Sequence, residues 1–166
     1  VIGLAPGRRG ANRTGRPFTG DAAGGYLFHM LCRFDLASGT YQNDGDDDIR
    51  LHGTRITNVV RCLPPENKPV AAEVNACRAF LKAEIKAMPK LETILTLGRV
   101  AHDSPCRTLG LRPAEVPFGH GHYWHGDAGG RPMRIVSSYH CSRYNTQTGR
   151  LTDEMLDDVF RLATKG

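Results

Sequence analysis

The chain has 166 residues, 40% of them apolar and 23% charged, with a formal net charge of +5; that fits one globular domain with a real core. No apolar run approaches the roughly 18 residues of a membrane span, and five widely spaced cysteines, an odd number, argue against a secreted disulfide framework. The positive charge is mostly arginine, with lysine only at 68, 82, 86, 90 and 165; guanidinium groups suit bidentate phosphate contacts, so a polyanionic partner is indicated.

In chain order, Val1 to Ala5 reads as the end of a buried strand. With no methionine ahead of it, the expectation is a single domain over 1–166 that lacks its N-terminal segment. The strand feeds "GLAPGRRGANRTGRPFTGD" (3–21), a loop with five glycines and four arginines. "GGYLFHMLCRFDLAS" (24–38) has Leu27, Met30, Leu31 and Phe34 at helical spacing. "GTYQNDGDDDIR" (39–50) reads as a polar, acidic surface loop, and "RITNVVRC" (55–62) as a short buried strand followed by the loop "LPPENKP". Pro69 opens a helix to about Met88, with the stripe Val74, Cys77, Leu81, Ile85 and Met88. "LETILTLG" (91–98) predicts a strand, and 99–109 a short helix. "HYWH" and "MRIVSSYH" (133–140) predict two strands around a "GDAGG" turn. "LTDEMLDDVFRLATKG" closes the chain as an amphipathic helix with Thr152 at its N-cap.

Strands alternating with helices imply an α/β sheet covered on its faces, and in such sheets ligands sit beyond the carboxyl ends of the strands. Three loops leave predicted strands there: 6–24, 62–69 and 140–151. The first is neither a phosphate-binding Gly-Lys-Ser/Thr loop nor a strict GxGxxG. Its glycines allow backbone to approach a flat ligand, and Phe18 either stacks on that ligand or plugs the loop onto the core. Asn58 interrupts "ITNVV"; a buried amide needs partners and matches the edge of a pyrimidine, or it ties down a neighbouring loop. His140 ends a strand at the mouth of "CSRYNTQTGR", as a structural or a catalytic group. In a strand His120 and His122 would share a face and His125 would oppose them, a poor metal site. Cys62 and Cys77 could point into one pocket, although an iron–sulfur cluster needs about four ligands.

Taken together, "GLAPGRRGANRTGRPFTGD", "RITNVVRCLPPENKP…C", "LGRVAH" and "SYHCSRYNTQTGRLT" resemble the uracil-DNA glycosylase superfamily, most nearly its family 5, the iron–sulfur type. The resemblance runs in order through nearly the whole chain. It implies a three-layer α/β/α sandwich with a central, mainly parallel sheet. The implied activity is a monofunctional glycosylase that flips uracil out of DNA and cleaves its N-glycosidic bond for base-excision repair, with hypoxanthine or xanthine as further substrates. The other readings are a weak or inactive binder of uracil-containing or damaged DNA, and a nucleotide- or metal-binding enzyme built on the histidines. The implied protein acts as a monomer on DNA with deaminated bases in a bacterial or archaeal cytoplasm, with no membrane partner.

Residue by residue, the resemblance implies that the backbone at Gly3, Ala5 and Gly7 lines the pocket. Phe18 stacks on the base, Asn58 reads its edge, and His140 hydrogen-bonds its carbonyl. Ser142, Arg143, Tyr144 and Asn145 belong to the loop that enters the duplex. Asn12 stands where the family's water-activating residue is expected and, without a carboxylate, would only position the water; Asp21 is expected to be structural. Neither of the two long motifs holds a lysine for Schiff-base chemistry. Cys62 and Cys77 match two ligands of a 4Fe-4S cluster, the other two being expected from the missing N-terminal segment. Cys32 and Cys106 read as core, and Cys141 as a small apolar filler.

Overall fold

The computed structural model describes residues 1–165; Gly166, the end of the expected last helix, lies outside the described residues. The chain runs β1 (Ile2–Gly3), α1 (Ala11–Thr14), α2 (Ala22–Arg33), β2 (Ala37–Ser38), β3 (Arg50–Leu51), β4 (Thr57–Asn58), α3 (Ala71–Lys86), β5 (Thr93–Leu97), α4 (Arg99–Thr108), β6 (Tyr123–Ala128), β7 (Arg131–Ser138), α5 (Arg143–Gln147) and α6 (Asp153–Thr164), with a 3-10 turn at Pro65–Asn67. The main sheet has the order β4-β1-β5-β7-β6. Its first four strands are mutually parallel, and β6 is an antiparallel edge hairpin on β7.

The two faces of the sheet follow from side-chain alternation along the strands. Leu95, Leu97 and Val136 point into one cluster with Leu27, Leu31, Leu156 and Phe160 of α2 and α6. Ile94 and Met133 point the other way, into a cluster with Leu81 of α3 and Ala101 of α4. Helices thus cover both faces, which makes the α/β/α sandwich. The expected stripe of α3 faces inward, with Leu81 buried and Val74, Cys77 and Ile85 packed around it.

Several elements differ from the sequence reading. The helix expected over 24–38 begins at Ala22, because Asp21 caps it by accepting from the Ala23 amide at 3.0 Å. It ends at Arg33; Asp35 then takes a φ of +56°, and Ala37–Ser38 pairs antiparallel with Arg50–Leu51. His120 and His122 precede β6 in a turn, where the His122 amide bonds back to the Gly119 carbonyl, so they do not share a strand face. The loops 6–24 and 140–151 each contain one helical turn, α1 and α5. Ser142 caps the second by accepting from the Asn145 amide.

Candidate active site

The parallel strands β1, β4, β5 and β7 all finish on one edge of the sheet, so the segments that leave them meet there. A fourth segment joins the three expected ones: Gly98, between β5 and α4, where a Cβ would lie 3.8 Å from His140 Cβ. The centre of the edge is the backbone of Gly3. A Cβ at that position would come within 2.5 Å of Phe18 Cζ and 2.6 Å of Asn58 Oδ1, so only glycine lets the ring and the amide converge. β1 and β4 set this register by pairing Gly3 with Asn58. The pairing continues past both strands, with the Val59 amide donating to the Gly3 carbonyl at 2.9 Å.

Phe18 is buried among the residues of the α2–α6 face, and its ring also stacks on His140 with centroids 5.8 Å apart and planes inclined by 23°. The ring thus plugs the first loop onto the core. Asn58 is 6% exposed, and its side-chain amide has no hydrogen-bond partner among the described residues. The half-buried His140 ring likewise has no partner among them, while Asn145 Nδ2 holds its carbonyl at 2.8 Å. Burial lowers the pKa of His140, opposed by the nearby Asp21 carboxylate. The imidazole is therefore neutral at neutral pH and offers one N–H and one lone pair. An amide and a neutral imidazole, both without a protein partner among the described residues and with polar atoms open to solvent beside an aromatic face, can bind and polarise a flat heterocycle with carbonyl and imide groups.

The remaining expected residues lie around this centre. Gly7 faces the Asp21 carboxylate, and its carbonyl accepts from the amides of Gly10 and Asn12. Ala5 packs against the α3–α4 side. The Asn12 side chain is exposed on α1 and makes no hydrogen bond among the described residues. Arg143 and Tyr144 are exposed on α5, Tyr144 at 70%. Arg8, Arg9 and Arg13 of the first loop are exposed. Arg16 is not available to a partner, because it forms a two-pronged ion pair with Asp47. Lys68, in the segment after β4, is the one lysine on the loops at this edge, and it is exposed.

Sequence reasoning missed a cleft of about 370 Å³ beside His140, lined by Gly98, Arg99, Phe118, Tyr139, His140 and Arg150 among others. Arg99 lies over the Phe118 ring at 5.1 Å and Arg150 over Tyr139 at 4.7 Å. Neither guanidinium has an ion-pair partner among the described residues, so both remain available to an anion. Phe118 and Tyr139 come from distant segments, and spacing along the chain carries no sign of their meeting. The larger cavities, about 790 and 950 Å³, lie at the opposite edge around Pro89–Glu92, remote from His140.

All five cysteines are free. Cys106 and Cys141 are fully buried, and burial pushes their thiols up to about 12. Cys141 donates to the Ala23 carbonyl inside the core, as a small filler does. Burial also raises the Cys32 thiol. Cys62 is exposed just after β4, and Cys77 is half-buried on the inner stripe of α3. Among the described residues no group of three or more His, Cys, Asp or Glu side chains is placed to hold a metal, and no helix is long and apolar enough to cross a membrane.

The family model of the Uracil DNA glycosylase superfamily matches residues 1–163. The chain is 44% identical to a type-5 uracil-DNA glycosylase of Thermus thermophilus, over 99% of this chain and 74% of the relative. It is 42% identical to one of Mycobacterium tuberculosis, over 99% of this chain and 61% of the relative. To one of Pyrobaculum aerophilum it is 40% identical, over 98% of this chain and 69% of the relative.

Proposed function

Since the chain belongs to the uracil-DNA glycosylase superfamily, in its type-5 branch, we propose that it hydrolyses the N-glycosidic bond of uracil in DNA. The observation that carries this reading is the convergence of Phe18 and Asn58 on Gly3, with His140 stacked on Phe18 and both polar side chains left without a protein partner among the described residues. The base leaves the stack, as a buried reacting atom requires, and lies against Phe18. The Asn58 amide reads its imide edge. His140, neutral, donates to the carbonyl oxygen on which negative charge grows as the bond to C1′ breaks. A preorganised donor aimed at developing charge typically contributes 10²- to 10³-fold, on the order of oxyanion-hole donors. Water then adds to the oxocarbenium-like sugar. Asn12 can only orient that water, since an amide does not take its proton.

The flanking surface suits a strand of phosphates. Arg99 and Arg150 border the cleft beside His140, and Arg143 and Tyr144 stand exposed on α5 to meet the duplex. The wall at Gly3, Ala5 and Gly7 has no bulky side chain, and we include hypoxanthine and xanthine as substrates on that ground. Cys62 and Cys77 are assigned as two thiolates of a 4Fe-4S cluster, with two more expected from a segment ahead of Val1. The thiols of Cys32, Cys106 and Cys141 are held protonated by burial, whereas a ligand must ionise. Such a cluster would hold the segment after β4 against α3. Iron and acid-labile sulfide bound by a chain that carries those further ligands, and lost in its Cys62→Ser and Cys77→Ser variants, check the assignment.

The activity is tested with labelled DNA carrying uracil, hypoxanthine, xanthine or no lesion, scored for abasic sites. Uracil-dependent abasic sites are expected, with no borohydride-trapped adduct. Binding without abasic sites replaces the enzyme with a binder of damaged DNA, a reading that the amide at Asn12 favours. An adduct that disappears in Lys68→Ala replaces the hydrolysis with a lyase step.

A further inference from the structure

The acidic segment between β2 and β4 does more than face solvent. Asp47 has no exposed side-chain surface, although it lies in a run of four acids broken by one glycine. Its carboxylate takes both prongs of Arg16, at 2.6 and 2.5 Å, and also accepts from the amides of Gln42 and Ile49. The guanidinium lies over the rings of Phe28 and Tyr41, which stack on each other with centroids 4.7 Å apart. Arg16 Nε also donates to Thr19 Oγ1 at 2.7 Å. The Tyr41 hydroxyl reaches the Phe18 carbonyl at 3.2 Å.

That carbonyl belongs to a residue in a costly conformation. Phe18 has a φ of +56°, a left-handed backbone that a bulky aromatic rarely adopts and that persists only where surroundings hold it. Gly24 is cut away to allow the hold, since a Cβ there would fall 2.0 Å from the Phe18 carbonyl oxygen and 2.2 Å from Tyr41 Oη. The Asp47–Arg16 chain therefore ends on Thr19, next to Phe18, and Tyr41 reaches the carbonyl of Phe18 itself, the residue whose ring stacks on His140.

We propose that the segment 40–49 is a positioning strap: through Tyr41 and the Arg16–Asp47 pair it fixes the strained Phe18 backbone, and so sets the ring against His140 in the base pocket. Among the described residues Tyr41, Arg16 and Asp47 make no hydrogen bond to the side chain of His140 or Asn58, so they are positioning residues. The inference rests on the glycosylase reading for its catalytic consequence, and on geometry alone for its structural one.

The test pairs Tyr41→Phe, which removes one hydroxyl and keeps the ring on Phe28, with Asp47→Asn and the control Asp46→Asn, an exposed acid of the same segment. The His140 ring protons lie within the ring current of Phe18, so their NMR shifts report the stack without any substrate. Tyr41→Phe and Asp47→Asn are expected to move those shifts while leaving the amide spectrum of α6 and β7 in place. They are also expected to lower kcat on uracil-containing DNA about tenfold with KM within twofold, as displacement of a reacting group by a fraction of an ångström does. Asp46→Asn changes neither. His140 shifts that stay put in a folded Tyr41→Phe protein overturn the strap. So does a wild-type protein that excises uracil while both variants match its kcat. A wild-type protein that excises nothing overturns the glycosylase reading, and the shifts still decide the strap.

Discussion

Two histidines sit near the carboxyl ends of neighbouring strands, and their surroundings differ in depth and, more tellingly, in hydrogen bonding. His102, on α4, is 1% exposed and has a partner for each ring nitrogen: Nε2 lies 2.7 Å from the Val116 carbonyl and Nδ1 3.4 Å from Thr96 Oγ1. His140 is half-buried, pressed against Phe18, and has a partner for neither. The His140 nitrogens are not among the buried atoms left without a partner, so the half-buried ring keeps them open to solvent at the pocket. The core around His102 uses its imidazole as a bridge between β5 and the segment at Val116. The pocket around His140 leaves the same chemistry open for a ligand. Burial and residue type alone do not separate a structural histidine from a working one; satisfied hydrogen bonding does.

The contrast breaks most directly by removing each imidazole. His140→Ala is expected to lower kcat for uracil excision by about 10²- to 10³-fold, with melting temperature nearly unchanged because no bond of the fold is lost. His102→Ala is expected to behave oppositely. It empties a buried site and strands the Val116 carbonyl, a loss of about 2–4 kcal/mol, or roughly 5–15 °C in a chain of this size. Its activity per folded molecule should stay near wild type. Thermal melts and single-turnover excision on the two proteins check both halves, and a His102 variant that melts normally but loses excision would reverse the assignment.

Asn58 extends the comparison to an amide. Asn58→Ala is expected to reduce kcat/KM for uracil about 10- to 100-fold, since one edge of the base loses its partner. Stability should hold, because the amide makes no hydrogen bond to the described residues and its polar atoms reach solvent. Urea unfolding beside excision kinetics tests this. A fall in stability would mean that the amide is tied into the fold in solution.

How far these outcomes were visible in the sequence depended on how local each signal was. Helix stripes such as Val74, Cys77, Leu81 and Ile85 and the short helix over 99–109 were legible, because helical periodicity is a property of adjacent turns. So was the shared edge, because four parallel strands must end together. Asn58 stood out as a polar break in an apolar strand, but its lack of a partner depends on what lies across the sheet. Arg16 and the acidic segment read as two solvent-facing charge groups, since nothing in either stretch signals that one acid, Asp47, turns inward to meet one arginine 31 residues away. The Arg99 and Arg150 cleft escaped for the same reason, being assembled from rings on separate segments.

Acidity sharpens the comparison further, with a smaller effect. The folded pKa of His140 is lowered by burial, so the unfolded chain takes up the proton first as pH falls. This group's share of stability is complete above about 6.5 and is lost between that value and the lower folded one. Excision should follow the folded group: flat through neutral pH, then falling in acid as the imidazolium forms and the pocket loses its neutral donor. Asp21→Asn removes the carboxylate that opposes the shift, so the acid limb of the kcat profile should move to lower pH. The same change weakens the cap of α2 by about 1 kcal/mol or less, which a melt reports separately. An acid limb that does not move would mean that Asp21 acts on α2 alone.

The smallest effect is expected where a side chain is unpartnered but exposed. Tyr144 stands on α5 at 70% exposure, so lacking a partner there leaves nothing unsatisfied, because water serves it. If want of a partner alone marked function, Tyr144→Ala would resemble His140→Ala. Burial supplies the difference. Under the proposed function, an exposed aromatic beside Arg143 would help hold DNA through stacking, worth about 1 kcal/mol at the low end for one base. Tyr144→Ala should therefore weaken DNA binding about fivefold, leave kcat at saturating DNA within twofold, and leave the melting temperature unchanged. Fluorescence anisotropy on uracil-containing duplexes, read beside saturating-substrate kinetics, separates the two quantities. A hundredfold loss of kcat would place Tyr144 inside the reacting assembly and remove burial from the criterion that divides His140 from Tyr144.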